Sequence, residues 1–164
     1  MTPKQWLGWI WESATGWQFK KNMRRESGEI YMERWHLLKT RWLSVYVNKI
    51  CLPDQDPWFH NHPWRKSWSV KLWNEYAEIV QYVIKVSVAM GLLYNQRRVP
   101  GRISRIPERH RIVELKDGKP VWTLFIGWRS DRPWGFIDPE TQNVVDWKTR
   151  VQQRGMTPEE SRRA

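Results

Sequence analysis

From Ile30 onward the chain is a succession of short aromatic and β-branched runs, each soon closed by Pro, Gly, Asn or Asp. Leu43, Val45 and Val47 alternate with Ser44, Tyr46 and Asn48, and Trp68, Val70 and Leu72 alternate in the same way. In Val121–Trp128, a period of two sets Trp122, Leu124 and Ile126 opposite Val121, Thr123 and Phe125. Many short strands with this punctuation build a β-sandwich or jelly roll. The fold class expected is therefore all-β, with one barrel or sandwich over residues 30–147.

Individual elements follow. Ile30–Lys39 and Trp42–Leu52 read as strands, and Pro53 to Pro57 as a turn before the next one. Asn74-Glu75 turns the chain into Tyr76–Val80. Tyr82–Leu93 favours a strand through Val83, Ile84, Val86 and Val88, with a helix left open. Ile103–Ile106 is a short strand, and Asp117-Gly118 between His110–Leu115 and Val121–Trp128 is a hairpin signal. At the N-terminus, Thr2, Pro3 and Gln5 open a helix through a capping box, with Gly16 as its stop. Its apolar face (Trp6, Leu7, Ile10, Trp11, Ala14) suits the outside of a sheet or a dimer interface. The basic run from Lys20 to Arg25 reads as a solvated linker, so residues 1–29 form an N-terminal helix and linker. A last helix runs from about Val144 to Arg154, and residues 148–164 comprise its end and a basic tail.

The most specific chemistry lies in Trp58-Phe59-His60-Asn61-His62-Pro63-Trp64. In an extended segment the i and i+2 side chains share a face, so His60 and His62 can lean onto one divalent ion. Pro63 ends or bends the strand. His110 is the third histidine expected at the site, while His36 reads as structural. Cys51 is alone, which excludes a disulfide framework or a cysteine-based zinc site. No apolar run approaches the ~20 residues that span a bilayer, and the N-terminus lacks the order of a secretory signal. A cytoplasmic location without membrane attachment is expected. The net charge of +11 attracts anions such as nucleotides or nucleic acid. Many of the fourteen tryptophans stand beside Arg or Lys, a pattern read mainly as core and cation–π packing and otherwise as stacking platforms for bases.

These residues carry a resemblance. His60-Asn61-His62 with the Val70-Lys71-Leu72 strand, then Pro100-Gly101 with His110, resembles the two motifs of the cupins, small jelly-roll proteins. His60 to Trp64, Tyr76-Ala77-Glu78, His110-Arg111, Trp122-Thr123-Leu124 and Trp134-Gly135-Phe136 are similar to a narrower cupin-like group. The resemblance implies a jelly-roll barrel with a metal at His60, His62 and His110. Glu78 is then the nearest carboxylate, because counting back from Leu72 puts Ser67 where many metal cupins carry glutamate. Asn74 stands in place of the usual glycine. The ion implied is iron, zinc, manganese or nickel, though some cupins have lost theirs.

Three functions follow. One is a metal-dependent oxygenase, isomerase or hydrolase acting on a small anionic substrate that bears phosphate or a nucleotide. Another uses His60, His62 and His110 without metal, as general acid and base on a phosphodiester. The third is a binding protein that sequesters a nucleotide or nucleic acid. Arg97, Arg98, Arg102 and Arg105 are the expected anion contacts, since Arg matches phosphate bidentately. Trp58, Trp64 and Tyr76 join them as ligand-binding aromatics.

Overall fold

The computed structural model describes residues 18–25, 27–86, 89–98 and 102–153, together with Thr2, Gln5 and Trp6; for residues 83–86, 89–93, 98 and 151 it describes the backbone alone. The strands are β1 (Lys20–Arg24), β2 (Ile30–Lys39), β3 (Leu43–Ile50), β4 (Phe59–His60), β5 (Trp64–Trp73) and β6 (Tyr76–Val86). They continue with β7 (Ala89–Arg98), β8 (Ile103–Arg105), β9 (His110–Leu115), β10 (Val121–Ser130), β11 (Gly135–Ile137) and β12 (Val144–Asp146), followed by helix α1 (Trp147–Gln153).

One sheet has the order β1-β2-β3-β10-β5-β8 and the other β12-β11-β4-β9-β6-β7. Within the eight strands β3 to β10, the chain changes sheet at every connection except the β6–β7 hairpin. That winding, with every pairing antiparallel, is the jelly roll. The expected all-β jelly roll is thus the fold observed. Among the described residues the hydrogen-bonded ladder does not pass from one sheet into the other, so the barrel is an open pair of facing sheets.

Several local expectations are corrected. The basic run is no linker: it forms edge strand β1 on β2, held by Lys20, which pairs with Glu33 at 2.5 Å and covers the Trp35 ring at 5.0 Å. Edge strands tolerate charge because one side of the ladder faces water. Asp117-Gly118 does turn the chain, with φ of 54° and 63°, but β9 and β10 belong to different sheets, so the turn is a corner and no hairpin forms. Tyr82–Leu93 divides between β6 and β7. Val144–Asp146 is strand, pressed on Gly135, where any Cβ would collide with the Val145 carbonyl oxygen; the helix starts only at Trp147. Thr2 and Gln5 do exchange capping-box bonds, N to Oε1 at 2.7 Å and N to Oγ1 at 3.3 Å. The rest of the expected N-terminal helix and the C-terminal tail lie outside the described residues.

The strand period is as read, since Val121, Thr123 and Phe125 are buried while Trp122, Leu124 and Ile126 point outward. On β3 and β5, however, the polar set faces in: Ser44, Asn48, Ser67, Ser69 and Lys71 are buried. The interior of this sheet is therefore graded. Met32, Ile50 and Val121 meet Tyr76, Ile112 and Leu115 in a dry core at one end. Next comes the row Arg34, Asn48, Thr123, Lys71, and then the row His36, Tyr46, Phe125, Ser69.

Candidate metal centre and anion pocket

His60 ends β4 directly opposite His110 of β9. Asn61, between the two histidines, points the other way and clamps the chain to the start of β11. Its N donates to Gly135 O at 3.1 Å, its Oδ1 accepts from Gly135 N at 2.8 Å, and its Nδ2 donates to Pro133 O at 3.0 Å. With the middle residue pinned, His60 and His62 turn to the same side, their ring centroids 5.2 Å apart. Past Pro63 the chain leaves for β5 in the other sheet. His62 Nε2 lies 2.9 Å from His110 Nε2, and the His60 and His110 centroids are 4.7 Å apart.

Carboxylates stand behind two of the rings. Glu78 Oε2 meets His110 Nδ1 at 2.5 Å, and Asp54 Oδ2 lies 3.7 Å from His60 Nδ1. Burial alone would raise the Glu78 carboxyl, but His110 and Arg97 reverse this and hold it below its ordinary value. Ionised Glu78 accepts the Nδ1–H of His110, which leaves the His110 Nε2 lone pair aimed at the cluster. Burial pulls His60 down to about 4, against the opposing charge of Asp54. His62 falls well below its usual value through burial and then through His110 and His60. Both are neutral imidazoles at physiological pH, the form that ligates metal.

One nitrogen from each ring lies within 4.8 Å of the other two. An ion shared by all three would take each nitrogen at about 2.0–2.1 Å. The donor set therefore fits a divalent metal. Glu78 is committed to His110 and Arg97, so it orients a ligand from behind rather than joining the set.

Beside His62 opens a cavity of about 520 Å³. Arg65, Lys66, Arg97, Arg105, Arg109 and Arg132 line it, against Glu108 as its single acidic residue. Trp64 and Ser67 complete the wall next to the histidines. Of the expected ligand contacts, Arg97, Arg105 and Trp64 thus face one cavity, although Arg97 spends its Nε and Nη2 on Glu78 at 3.1 and 2.9 Å. Arg102 is exposed away from the cavity. Arg98 stands on β7 next to Arg97, its side chain outside the described set. Tyr76 packs in the dry core. Trp58 lies under Arg150, 3.7 Å from its guanidinium, where Arg150 also grips Asp56 and docks α1. His36 is structural, its Nδ1 donating to Gln18 O at 2.6 Å. Sequence reasoning missed Asp54, Arg65, Lys66, Arg109 and Arg132. Adjacency to Trp64 and His110 was a usable signal for the last four apart from Arg132, which only the fold brings in.

No protein-family model matches the chain, and no curated protein does. Solved structures that it resembles include an RmlC-like cupin protein from Ralstonia eutropha, with 12% identity, 82% of this chain and 78% of that one covered, and a TM-score of 0.40. The DMSP lyase from Ruegeria pomeroyi shows 20% identity over 67% of this chain and 52% of that one, with a TM-score of 0.43. For hydroxypropylphosphonic acid epoxidase from S. wedmorenis the values are 11%, 66%, 55% and 0.41. The chain thus spans little more than half of the latter two. These are partial likenesses of fold, and the strand order itself defines the jelly roll.

Proposed function

We propose that this protein is a metal-dependent enzyme of cupin type that acts on a small anionic substrate. The observation that carries the reading is that His62 belongs at once to the three-histidine cluster and to the wall of a cavity ringed by six cationic side chains. A divalent ion held by His60, His62 and His110 would supply Lewis acidity and an acidified water. The chain contributes the rest: Glu78 keeps the His110 tautomer, Trp64 limits access beside His62, and the rim gathers anions. Arg105, Arg109 and Lys66 are the rim cations proposed to meet a phosphate- or nucleotide-bearing substrate, in a reducing cytoplasmic setting consistent with the lone Cys51. The identity of the ion among iron, zinc, manganese and nickel is left to measurement.

A second reading has its own support. The 2.9 Å contact between His62 Nε2 and His110 Nε2 is a proton-sharing pair, which suits metal-free acid–base work on a phosphodiester. Elemental analysis of protein purified from metal-replete medium separates the two. One ion per chain is expected, lost in His62→Ala together with the thermal stabilisation that bound metal gives. Protein that carries no stoichiometric ion and turns over substrate in the presence of chelator overturns the metal reading. Ligand binding with no product formed points instead to a sequestering protein.

A further inference from the structure

Arg34 of β2 turns into the barrel, on the same face as buried Met32 and His36. Its Nε donates to Asn48 Oδ1 at 2.8 Å, its Nη2 meets Met32 Sδ at 3.7 Å, and its guanidinium lies over the Tyr46 ring, 4.8 Å from the centroid. All of these partners are neutral. Among the described residues no carboxylate reaches it, although Glu78, Asp54 and Asp56 are all inside the same jelly roll and each is committed elsewhere. A guanidinium carries five N–H donors, so most of its fork is unspent. Arg34 is half-buried; a partly desolvated cation without a counter-charge costs the fold some stability, and burial presses its pKa below the ordinary value.

Its position relative to the histidines gives that cost a use. Tyr46 and Phe125 are neighbours on β3 and β10, stacked at 5.6 Å and 14°. Together they make an aromatic floor, against which Trp64 also packs, 4.6 Å from Phe125 and 5.9 Å from Tyr46. Arg34 lies over Tyr46 at one end, and His62 lies 6.2 Å from Phe125 at the other. The geometry points to a substrate-anchoring site: Arg34 binds an oxyanion, carboxylate or phosphate, of a ligand that lies along Tyr46 and Phe125 with its other end at the histidines. The bound anion supplies the missing counter-charge, and the fork geometry of the guanidinium suits either oxyanion. Arg34, Tyr46 and Phe125 do not line the cavity beside His62, so this is a second anion subsite; it rests on the reading of the protein as acting on an anionic substrate and does not depend on the metal.

The test compares wild type with Arg34→Met, Arg34→Gln and the rim variant Arg105→Ala. Inorganic phosphate and malonate are titrated into each by calorimetry, in buffer otherwise free of small oxyanions, with thermal unfolding followed in parallel. Loss of the anchor should weaken binding of the preferred anion roughly ten- to a hundredfold, against only a few-fold for Arg105→Ala. Without anion, Arg34→Met should melt no lower than wild type, because an uncompensated charge has gone; a structural arginine would give the opposite sign. Arg34→Gln, which keeps a donor for Asn48, serves if the methionine variant does not fold. Unchanged anion affinity in both variants, or an anion-independent fall in melting temperature in both, overturns the proposal. Phosphate against malonate names the oxyanion. If chelator-stripped wild type binds anion as untreated protein does, the anchor stands whatever becomes of the metal reading.

Discussion

Oε2 of Glu78 takes the Nδ1–H of His110 while Oε1 takes the Nε and Nη2 protons of Arg97. One fully buried carboxylate thereby fixes a histidine tautomer and ties it to the cationic wall of the cavity. Replacing it with glutamine leaves Arg97 without its counter-charge and lets the His110 ring choose either tautomer. Glu78→Gln should lower stability by about 2 kcal/mol, read from the denaturant midpoint. It should also weaken metal affinity roughly ten- to a hundredfold, read by competition with a chelating indicator. Metal affinity equal to wild type would show that Glu78 serves the fold alone. At the opposite wall, Gly127 leaves its space to Trp64, whose ring a Cβ there would meet at 2.7 Å. Gly127→Ala should push Trp64 towards His62, narrow the cavity and cost about 1–3 kcal/mol; unchanged unfolding together with unchanged anion binding would refute it.

At the scale of elements, the turn between β5 and β6 shows why Asn74 can stand where a glycine is usual. Its φ is +63°, a region that Asn tolerates better than most residues. Its Nδ2 then reaches Lys116 O at 3.0 Å and Lys119 O at 2.9 Å, which binds this turn to the corner after β9. Asn74→Ala loses both the tie and the backbone tolerance and should cost about 2 kcal/mol; Asn74→Gly should recover part of that. Equal melting of the two variants would show that the left-handed φ costs nothing, and Asn74→Gly as stable as wild type would show that the side-chain bonds contribute nothing. Such features mark what the sequence shows and hides. The alternation in β3, β5 and β10 and the His60–His62 spacing were legible because they are local periods. The direction of each face was not: Ser44, Asn48 and Lys71 point in, where polarity alone would have turned them out. The Asp117-Gly118 corner has the chemistry of a hairpin turn, and only the competing ladders of β10 with β3 and β5 decide that it is not one. Arg34 carried no local signal, since its meaning depends on which carboxylates the fold keeps away from it.

Across the described residues, Trp35, Trp42, Trp58 and Trp122 sit in cation–π contacts. Lys20 covers Trp35, Lys49 covers Trp122, Arg41 and Arg129 flank Trp42, and Trp35 stacks on Trp122 at 5.3 Å. The outward row Trp35, Val47, Leu124, Val70, Ile103 crosses five strands of one sheet, so the +11 charge also opposes self-association. Among the described residues no helix is long and apolar enough to cross a membrane. The double crossing of the jelly roll has a consequence in time. His60 meets His110 through a single paired position, and β10 must find both β3 and β5 before the aromatic floor exists. Chains dominated by such distant pairings fold on the order of milliseconds to seconds. The three histidines therefore gather only once the distant β4 and β9 have paired, and a nascent chain has no three-histidine cluster until its β9 segment has been made. In stopped-flow refolding, uptake of a divalent ion should not precede the final tryptophan fluorescence phase. Uptake within the dead time would mean that the histidines gather before the sheets do.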